Sequence, residues 1–346
     1  MPRIVDVTAE VIEVPLKHAF VTSKDSVART VSRPVVIALH LDDGTSAVGE
    51  AVPVEYVTGE SQESVMSAVA RAGPALRGTE TERLAPAIAI LRDRFPLDHA
   101  ARAGFEMAVY NAFAASSGLS LWYLFGAAVE NVETDLTLSI AEGAVELAVQ
   151  AYVTGFRRFK MKVGGPDRQE DLNRIMRVHN AVPEAVIRLD ANQAFGSEEA
   201  LRFIAAVVDA GVNLELVEQP VPKEDLAALD RVSAESPVPI FADEAVKTPA
   251  DALRVVTETR VHGINVKLMK SGISGAFDII SIARAVNRKL MIGCMLETRR
   301  GISASVALAC GTGAFDYVDL DSHMLLNEPG ENPYFAQTGP VLSVGL

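Results

Sequence analysis

Three acidic residues each end an apolar stretch in the second part of the chain. Asp190 ends AVIRLD, Glu218 ends LELVE and Asp243 ends VPIFAD, with spacings of 28 and 25 residues. If these stretches are neighbouring parallel strands, the carboxylates converge at one mouth, where they would repel one another without a cation between them. Oxygen ligands with positions left open for water or substrate suit Mg²⁺. The spacing therefore predicts one magnesium site; the alternative is that each acid only caps the following helix.

Lysines stand on both sides of this acidic series. Lys160 and Lys162 are two residues apart in RRFKMKVGG, one unit before the first acid, so on a strand both side chains point the same way. Lys267, in GINVKLMKSG, follows one unit after the last acid. Inward-facing lysines are costly unless they meet a counter-charge or serve a function. Lys270 is expected to lie in the following loop and to face water.

This arrangement suits proton transfer at the carbon next to a carboxylate. That proton is weakly acidic, and its removal leaves a dianionic enolate. A divalent cation on the carboxylate lowers the cost of the added charge, and a neighbouring ammonium group lowers it further. Cationic neighbours also lower the pKa of lysine, so an amine can act as a base near neutral pH. Two bases on opposite faces permit removal on one side and delivery on the other, which is what epimerisation requires.

The elements that must position these residues repeat through the second part of the chain. Eight apolar runs alternate with helical patterns at intervals of roughly 25–30 residues, the rhythm of a (β/α) barrel. A doubly wound sheet is the alternative, but no glycine-rich nucleotide fingerprint opens its first strand–helix turn. The predicted strands are residues 134–140, 158–163, 185–190, 214–218, 238–243, 263–268, 289–296 and 316–320.

In the first part of the chain the predicted strands come first and the predicted helices follow, as in an α+β domain. Its predicted elements are strands at 3–15 and 34–50 and helices near 62–72, 80–94 and 98–117. We predict an α+β domain over residues 1–125 and a barrel over 126–324. The tail, 325–346, is too short for another unit and is expected to fold back on the first domain.

The composition is that of an acidic globular protein. The chain has 346 residues, of which 49% are hydrophobic, and a formal net charge of −13. An acidic surface neither neutralises nucleic-acid phosphates nor is drawn to an anionic membrane. The N-terminus lacks the layout of a signal peptide, and Cys294 and Cys310 are expected to be reduced core residues. We therefore expect a cytoplasmic protein that binds neither nucleic acid nor membrane.

The metal acids, the KxK pair and the motifs VEQPV, ADEAV and VKLMKSG resemble the enolase superfamily in its muconate-lactonising subgroup, over nearly the whole chain. The resemblance implies a capping α+β domain over a modified (β/α)7β barrel with one Mg²⁺ per subunit. It assigns metal binding to the three acids, acid and base roles to Lys162 (S face) and Lys267 (R face), and an electrostatic role to Lys160. None of the six histidines stands on the penultimate predicted strand, where the mandelate-racemase-like subgroup has a histidine base. Ile273 replaces the second glycine that most members have after KSG, in an expected loop.

Within the superfamily, the resemblance is strongest to dipeptide epimerases of the alanyl-glutamate epimerase type. It is carried by Asp319 and Asp321 in YVDLDSHMLL, which in that family grip the free α-ammonium group of the substrate. Alternating strand positions put two carboxylates on one side, a fitting trap for a cation, with helix capping or solvation as the alternative. TDLTLSI, with Thr137, and GCMLET, with Met295 and Glu297, are similar too and add substrate-binding candidates. A dipeptide substrate and, by analogy, a homo-oligomer are implied.

The same two lysines are also compatible with other reactions. They are N-acylamino-acid racemisation, o-succinylbenzoate synthesis and muconate-type cycloisomerisation. Those sites need no ammonium trap, so Asp319 and Asp321 count against them. In a barrel without activity, all three acids and both flanking lysines would have to be incidental.

Two irregular stretches of the first domain, residues 18–33 and 51–61, are expected to close over the barrel mouth and set side-chain preference. Their apolar content favours hydrophobic dipeptides. Lys24, Asp25 and Tyr56 are candidate substrate contacts. An inward carboxylate of Asp25 would favour a cationic side chain and an inward Lys24 a glutamate, although charged loop residues usually face water.

Overall fold

The computed structural model describes residues 2–345, and its first part is a domain of strands followed by helices. The elements are β1 (Ile4–Val11), β2 (Val14–Phe20), β3 (Arg29–Ser32), β4 (Val35–Leu41), β5 (Ser46–Ala51), α1 (Glu55–Thr58), α2 (Gln62–Leu76), α3 (Leu84–Arg94), α4 (His99–Ser117), α5 (Leu121–Leu124) and, after them, the short strand β6 (Asn131–Glu133). Strands β1, β4 and β5 form an antiparallel sheet with β4 in the centre. Helix α2 packs on β1, and α4 packs on β5.

Helix α4 and strand β5 approach closely because each carries a glycine at the contact. A Cβ on Gly49 would lie 2.0 Å from the backbone oxygen of Gly104, so no larger side chain fits there. Phe95 and Phe105 stack beside this contact with ring centroids 5.6 Å apart, within the buried core of the domain. This packing fixes the side of β5 and α4 that is turned to the second domain.

The stretch 18–33, predicted to be an irregular loop, lies mostly in a hairpin. Strands β2 and β3 pair through Val14↔Ser32 and Phe20↔Arg29. The irregular structure predicted for this stretch holds for residues 21–28 but is wrong for its two ends, 18–20 and 29–32, which are strands. Much of this two-stranded ribbon is exposed, so the apolar–polar alternation that marks a half-buried strand is weak there. Part of the second stretch, 51–61, is the helical turn α1.

The second part is an eight-stranded parallel sheet whose strands follow in sequence order from β7 to β14, with a helix between each pair. The strands are β7 (Leu136–Leu138), β8 (Arg158–Lys162), β9 (Val186–Asp190), β10 (Leu214–Glu218), β11 (Ile240–Ala242), β12 (Gly263–Lys267), β13 (Lys289–Gly293) and β14 (Tyr317–Val318). The helices are α6 (Ala144–Val153), α7 (Arg168–Ala181), α8 (Ser197–Asp209), α9 (Leu226–Glu235), α10 (Pro249–Glu258), α11 (Leu268–Ala285) and α12 (Arg299–Thr312). Every strand lies within the run predicted for it, and the (β/α)7β arrangement with an α+β cap is confirmed.

Helix α10 shows how local sequence starts these elements. Thr248 accepts a hydrogen bond from Asp251 N, and the Asp251 side chain accepts one from Thr248 N in return. Pro249 takes the first helical position, where its missing N–H costs nothing. Across residues 2–345, no helix has the length and apolar character needed to span a bilayer.

The helical turn α13 (Ser322–Leu325) leads into the tail, which forms the hairpin β15 (Phe335–Thr338) and β16 (Val341–Val344). Strand β16 pairs with β6, at the start of the barrel part. The tail meets the first domain next to β2, where Asn327 N donates to Pro15 O at 2.7 Å. It also places α13 directly beside the mouth of the barrel.

Candidate active site

The three acids converge at the carboxyl ends of neighbouring strands. Asp190 and Glu218 are register partners at the ends of β9 and β10, and Asp243 follows β11 directly. All three are buried, and one carboxylate oxygen from each lies within 4.8 Å of the other two. Burial and the charge of Asp190 raise the pKa of Glu218 to about 8, as crowding of carboxylates requires. Three hard oxygen donors at this spacing fit one Mg²⁺.

Lys160 lies in the middle of this group. Its Nζ is 3.0 Å from Asp190 Oδ2, 2.8 Å from Glu218 Oε2 and 2.7 Å from Asp319 Oδ2. Burial alone would lower the pKa of Lys160, but the carboxylates of Asp190, Asp319 and Glu218 outweigh it and hold the pKa well above its usual range. Lys160 therefore stays protonated and supplies a fixed positive charge.

Lys162 and Lys267 flank the acids from opposite sides. Lys162 Nζ, on β8, is 2.6 Å from Asp190 Oδ2, and Lys267 Nζ, at the end of β12, is 2.6 Å from Asp243 Oδ2. Burial lowers the pKa of Lys267, but Asp243 and Glu218 reverse the effect and raise it. A cation shared by these carboxylates offsets the charge that raises this pKa and so moves the amine toward its basic form. The two amines thus face one another across the acidic group.

The prediction that Lys270 faces water is wrong. Its side chain is 1% exposed, and its Nζ lies 2.6 Å from both Asp243 Oδ1 and Asp243 O and 3.0 Å from Asn265 O. Helix α11 begins at Leu268 without an intervening loop, and its first turn carries Lys270 back to the strand end. Gly272, with φ 67° and ψ 176°, interrupts the helix after this first turn. Ile273 starts the helical segment beyond it, rather than lying in a loop, and is buried in the core.

The two last aspartates differ in their partners. Asp319 pairs with Lys160, whereas Asp321 Oδ2 accepts a 2.5 Å hydrogen bond from Thr137 N. Burial opposes ionisation of Asp319, but Lys160 outweighs it and lowers the pKa. Burial and the charge of Asp319 raise the pKa of Asp321 to about 6. Of the pair, Asp321 carries the negative charge that no protein cation within residues 2–345 neutralises directly.

Several of the sequence candidates line the cavity above these groups. Tyr56, Thr137 and Met295 are part of its wall together with the lysines and Asp319 and Asp321. Glu297 is fully buried beneath the wall, with Oε1 accepting from Met295 N at 3.0 Å.

Lys24 and Asp25 are not part of that wall. Lys24 is exposed, and Asp25 is engaged by Thr22 and by Arg29 at 2.6 Å. Arg29 lines the cavity instead, with its guanidinium 5.8 Å from the centre of the Tyr56 ring.

Asn192 and Glu244 also reach the cavity and were not among the sequence candidates. Asn192 Nδ2 donates to Glu244 Oε1 at 3.2 Å, and both side chains are buried. Burial and the charges of Asp243 and Asp190 raise the pKa of Glu244 to about 7. Their position in the sequence could have identified them. Asn192 lies two residues after Asp190 in DAN, and Glu244 lies one residue after Asp243 in ADE.

Two family models together match most of the chain. Residues 4–126 match the mandelate racemase / muconate lactonizing enzyme N-terminal domain, and residues 143–341 match the enolase C-terminal domain-like model. The chain is 35% identical to an aromatic dipeptide epimerase of Herpetosiphon aurantiacus, over 98% of this chain and 95% of the relative. It is 37% identical to an L-Ala-D/L-Glu epimerase of Bacillus subtilis, over 99% of this chain and 94% of the relative.

Solved structures show the same likeness. A substrate-liganded L-Ala-D/L-Glu epimerase from Bacillus subtilis superposes with a TM-score of 0.95 at 34% identity, covering 99% of this chain and 96% of that one. A dipeptide epimerase from Enterococcus faecalis, in complex with Mg and L-Leu-L-Tyr, has a TM-score of 0.93 at 30% identity, covering 99% and 97%.

Proposed function

The chain belongs to the mandelate racemase / muconate lactonizing enzyme family of enolase-like proteins, and on that premise we propose that it is a Mg²⁺-dependent dipeptide epimerase. The observation that carries this function is the position of Asp321, a buried carboxylate that has no cationic partner among residues 2–345, in the cavity that also holds the two opposed lysines. Such a carboxylate suits the free α-ammonium group of a dipeptide. An N-acylated amino acid or a muconate offers no such cation.

In this reaction each lysine handles its own proton. Lys162 or Lys267, as a neutral amine, removes the proton from the α-carbon of the second residue, and the lysine on the other face, as an ammonium group, delivers a different proton to the same carbon. The fixed charge of Lys160 stabilises the negative charge that develops between these events. Asp190, Glu218 and Asp243 would hold Mg²⁺, which would supply further positive charge for the substrate carboxylate.

We propose that the enzyme prefers hydrophobic dipeptides, and the apolar part of the cavity wall supports this. Its wall includes Phe20, Val54, Val57, Leu296 and Leu325. The one arginine of that wall, Arg29, has a carboxylate partner of its own in Asp25, so the loops bring little net charge to a substrate side chain.

We also place the enzyme in the cytoplasm as a homo-oligomer. Both cysteines are free thiols, Cys310 in the core and Cys294 at the cavity, which suits a reducing compartment. Symmetric self-association is the usual state of such enzymes. Light scattering on the purified protein measures the oligomer directly.

Incubation in D₂O with a dipeptide panel, read by mass spectrometry, tests the function. We expect α-deuterium uptake into dipeptides, loss of uptake after chelation, and recovery with Mg²⁺. Equal turnover of N-acetylated or N-succinylated amino acids would replace the dipeptide assignment with the racemase alternative. Full activity after exhaustive chelation would remove the metal from the proposal.

The same assay separates the two lysines. Lys162→Ala should impair exchange from the S epimer more than from the R epimer, and Lys267→Ala should show the reverse bias. Lys160→Met is the comparison, since loss of a charge shared by both directions should impair both epimers alike. Equal residual exchange from both epimers in both alanine variants would contradict the two-base arrangement.

A further inference from the structure

The barrel has a seam between its first and last strands. The ladder of parallel hydrogen bonds runs from β7 to β14, and these two end strands do not pair with each other as a ladder. They are joined instead by single contacts, among them Asp135 N to Val318 O at 3.2 Å and Leu320 N to Thr134 Oγ1 at 2.8 Å. At the mouth, the last of these contacts is the bond from Thr137 N to Asp321 Oδ2.

A cleft opens at this seam. It lies between β7 and α6 on one side and α13 on the other, with β2 of the cap across it. Most of its wall is apolar, although Lys17 and His18 also border it. Its large apolar side chains are Phe20, Leu136, Leu147, Phe156, Met324 and Leu325. Among the described residues that line it, none is an aspartate or a glutamate. The proton-transfer steps described above make no use of this space.

The cleft adjoins the catalytic cavity. Phe20, Thr137 and Leu325 form part of the wall of both. Thr137 also holds Asp321 through its backbone N–H, so the carboxylate assigned to the substrate ammonium lies beside the wall that the two spaces share.

The position of Asp321 decides which part of a dipeptide faces the cleft. The N-terminal α-carbon carries the ammonium group, the amide bond and the first side chain. With the ammonium on Asp321, the amide must run toward Lys162 and Lys267, where the second α-carbon reacts. The first side chain is then left to point away from the lysines, toward the cleft.

We propose that the seam cleft binds the side chain of the substrate's N-terminal residue and selects dipeptides that begin with a large apolar residue. This inference rests on the proposed epimerase function and adds the substrate class at the first position. Apolar side chains gain from burial against the leucines and phenylalanines of the cleft. A cationic first side chain finds no counter-charge on its wall.

The test compares dipeptides that share their second residue, namely Ala-Leu, Leu-Leu, Phe-Leu and Lys-Leu. The wild type should show a kcat/KM at least tenfold higher for Leu-Leu or Phe-Leu than for Ala-Leu, with Lys-Leu lowest. Leu147→Asp puts a carboxylate in the cleft and should lower kcat/KM for Leu-Leu at least tenfold more than for Ala-Leu. The matched control is Val149→Asp on the same helix, at an exposed position outside the cleft, and it should preserve the preference.

If Leu147→Asp fails to fold, a second variant tests the cleft independently. Ala19 is exposed on β2 and borders the cleft, so Ala19→Trp fills the space from a tolerant position and should also reduce the preference for Leu-Leu. Equal kcat/KM for Ala-Leu and Leu-Leu in the wild type, or an unchanged ratio in both cleft variants, would overturn the assignment of the cleft. Absence of exchange with every dipeptide would instead refute the epimerase function itself.

Discussion

Asp321 is held among groups that oppose its ionisation. Burial and the charge of Asp319 raise its pKa to about 6, and the Thr137 hydrogen bond offsets only part of this effect. Asp319 is neutralised by Lys160 and stays ionised to lower pH. The negative charge available to a substrate ammonium therefore depends on pH through Asp321 and not through Asp319.

Dipeptide binding should weaken in acid. As the pH falls through about 6, Asp321 takes up a proton and loses its charge, so KM should rise. Asp321→Asn should raise KM about tenfold or more at neutral pH, because it removes a charge-assisted hydrogen bond to the ammonium group. It should also remove the dependence of KM on pH. Initial rates of deuterium uptake between pH 5 and 8, at saturating Mg²⁺, measure both.

Asp209→Asn, at an exposed position at the end of α8, serves as the control and should keep the wild-type KM profile. A wild-type pH profile in Asp321→Asn would show that this carboxylate does not bind the ammonium.

Helix α11 shapes the site because it starts immediately after β12. With no loop between them, Lys267 on the strand and Lys270 on the first turn reach the two oxygens of one carboxylate, Asp243. Asp243 is thereby fixed in orientation from both sides. Lys270 also bonds two backbone carbonyls, Asp243 O and Asn265 O, so it joins β11 to β12 beneath the site.

Lys270→Met should therefore destabilise the fold. It leaves a buried carboxylate short of one partner and removes one hydrogen bond from each of two buried carbonyls, of which Asp243 O keeps the bond from Val246 N. We expect a loss on the order of 3 kcal/mol in the free energy of unfolding. Urea denaturation monitored by circular dichroism measures it. The control is Lys289→Met, whose ammonium pairs with Asp316 at the surface and whose loss should change little. Similar shifts in the two variants would contradict the structural role of Lys270.

The strands of the barrel and the acids at their ends were predictable from sequence, for a physical reason. A parallel strand covered on both sides is a continuous apolar run, and a charged residue at its end stands out. Asp190 and Glu218, which end such runs, stand at the predicted positions. That Lys160 and Lys162 share one face of their strand follows from strand alternation alone.

Contacts that depend on where one element meets the next were not predictable. Lys270 is buried because no loop separates β12 from the first turn of α11, and no residue in VKLMKSG indicates this. Asp25 does not line the cavity because it pairs with Arg29 across a turn of the hairpin. In both cases a charged side chain is satisfied by a partner whose position only the folded chain defines.

At the scale of the whole molecule, two carboxylates of the cap dock on helices of the barrel. Glu50 of β5 accepts bonds from the backbone and hydroxyl of Thr298, at the start of α12. Glu106 of α4 accepts bonds from Ser274 N at 2.7 Å and from Ser274 Oγ at 2.8 Å, beyond the kink of α11. Both carboxylates are fully buried. Acidic groups at helix N-termini meet unpaired N–H donors and a favourable dipole, which orients the cap over the mouth.

Glu50 makes this junction sensitive to pH. Burial raises its pKa from an ordinary 4.5 to about 7, against the opposing effect of the Thr298 bonds. Because the folded pKa is the higher one, the stabilisation is fully present below about 4.5 and is lost as the pH rises through 7. The shift corresponds to a loss on the order of 3 kcal/mol in the free energy of unfolding.

Glu50→Gln should remove this contribution, because an amide keeps the acceptor oxygen but does not titrate. The decline in the free energy of unfolding between pH 5 and 8 should be smaller in the variant than in the wild type by about 3 kcal/mol. Urea denaturation at constant Mg²⁺ across that range measures the two slopes. Glu13→Gln, in a surface pair with Arg33, should leave the slope unchanged. An identical slope in Glu50→Gln and the wild type would show that Glu50 titrates as it does in the unfolded chain.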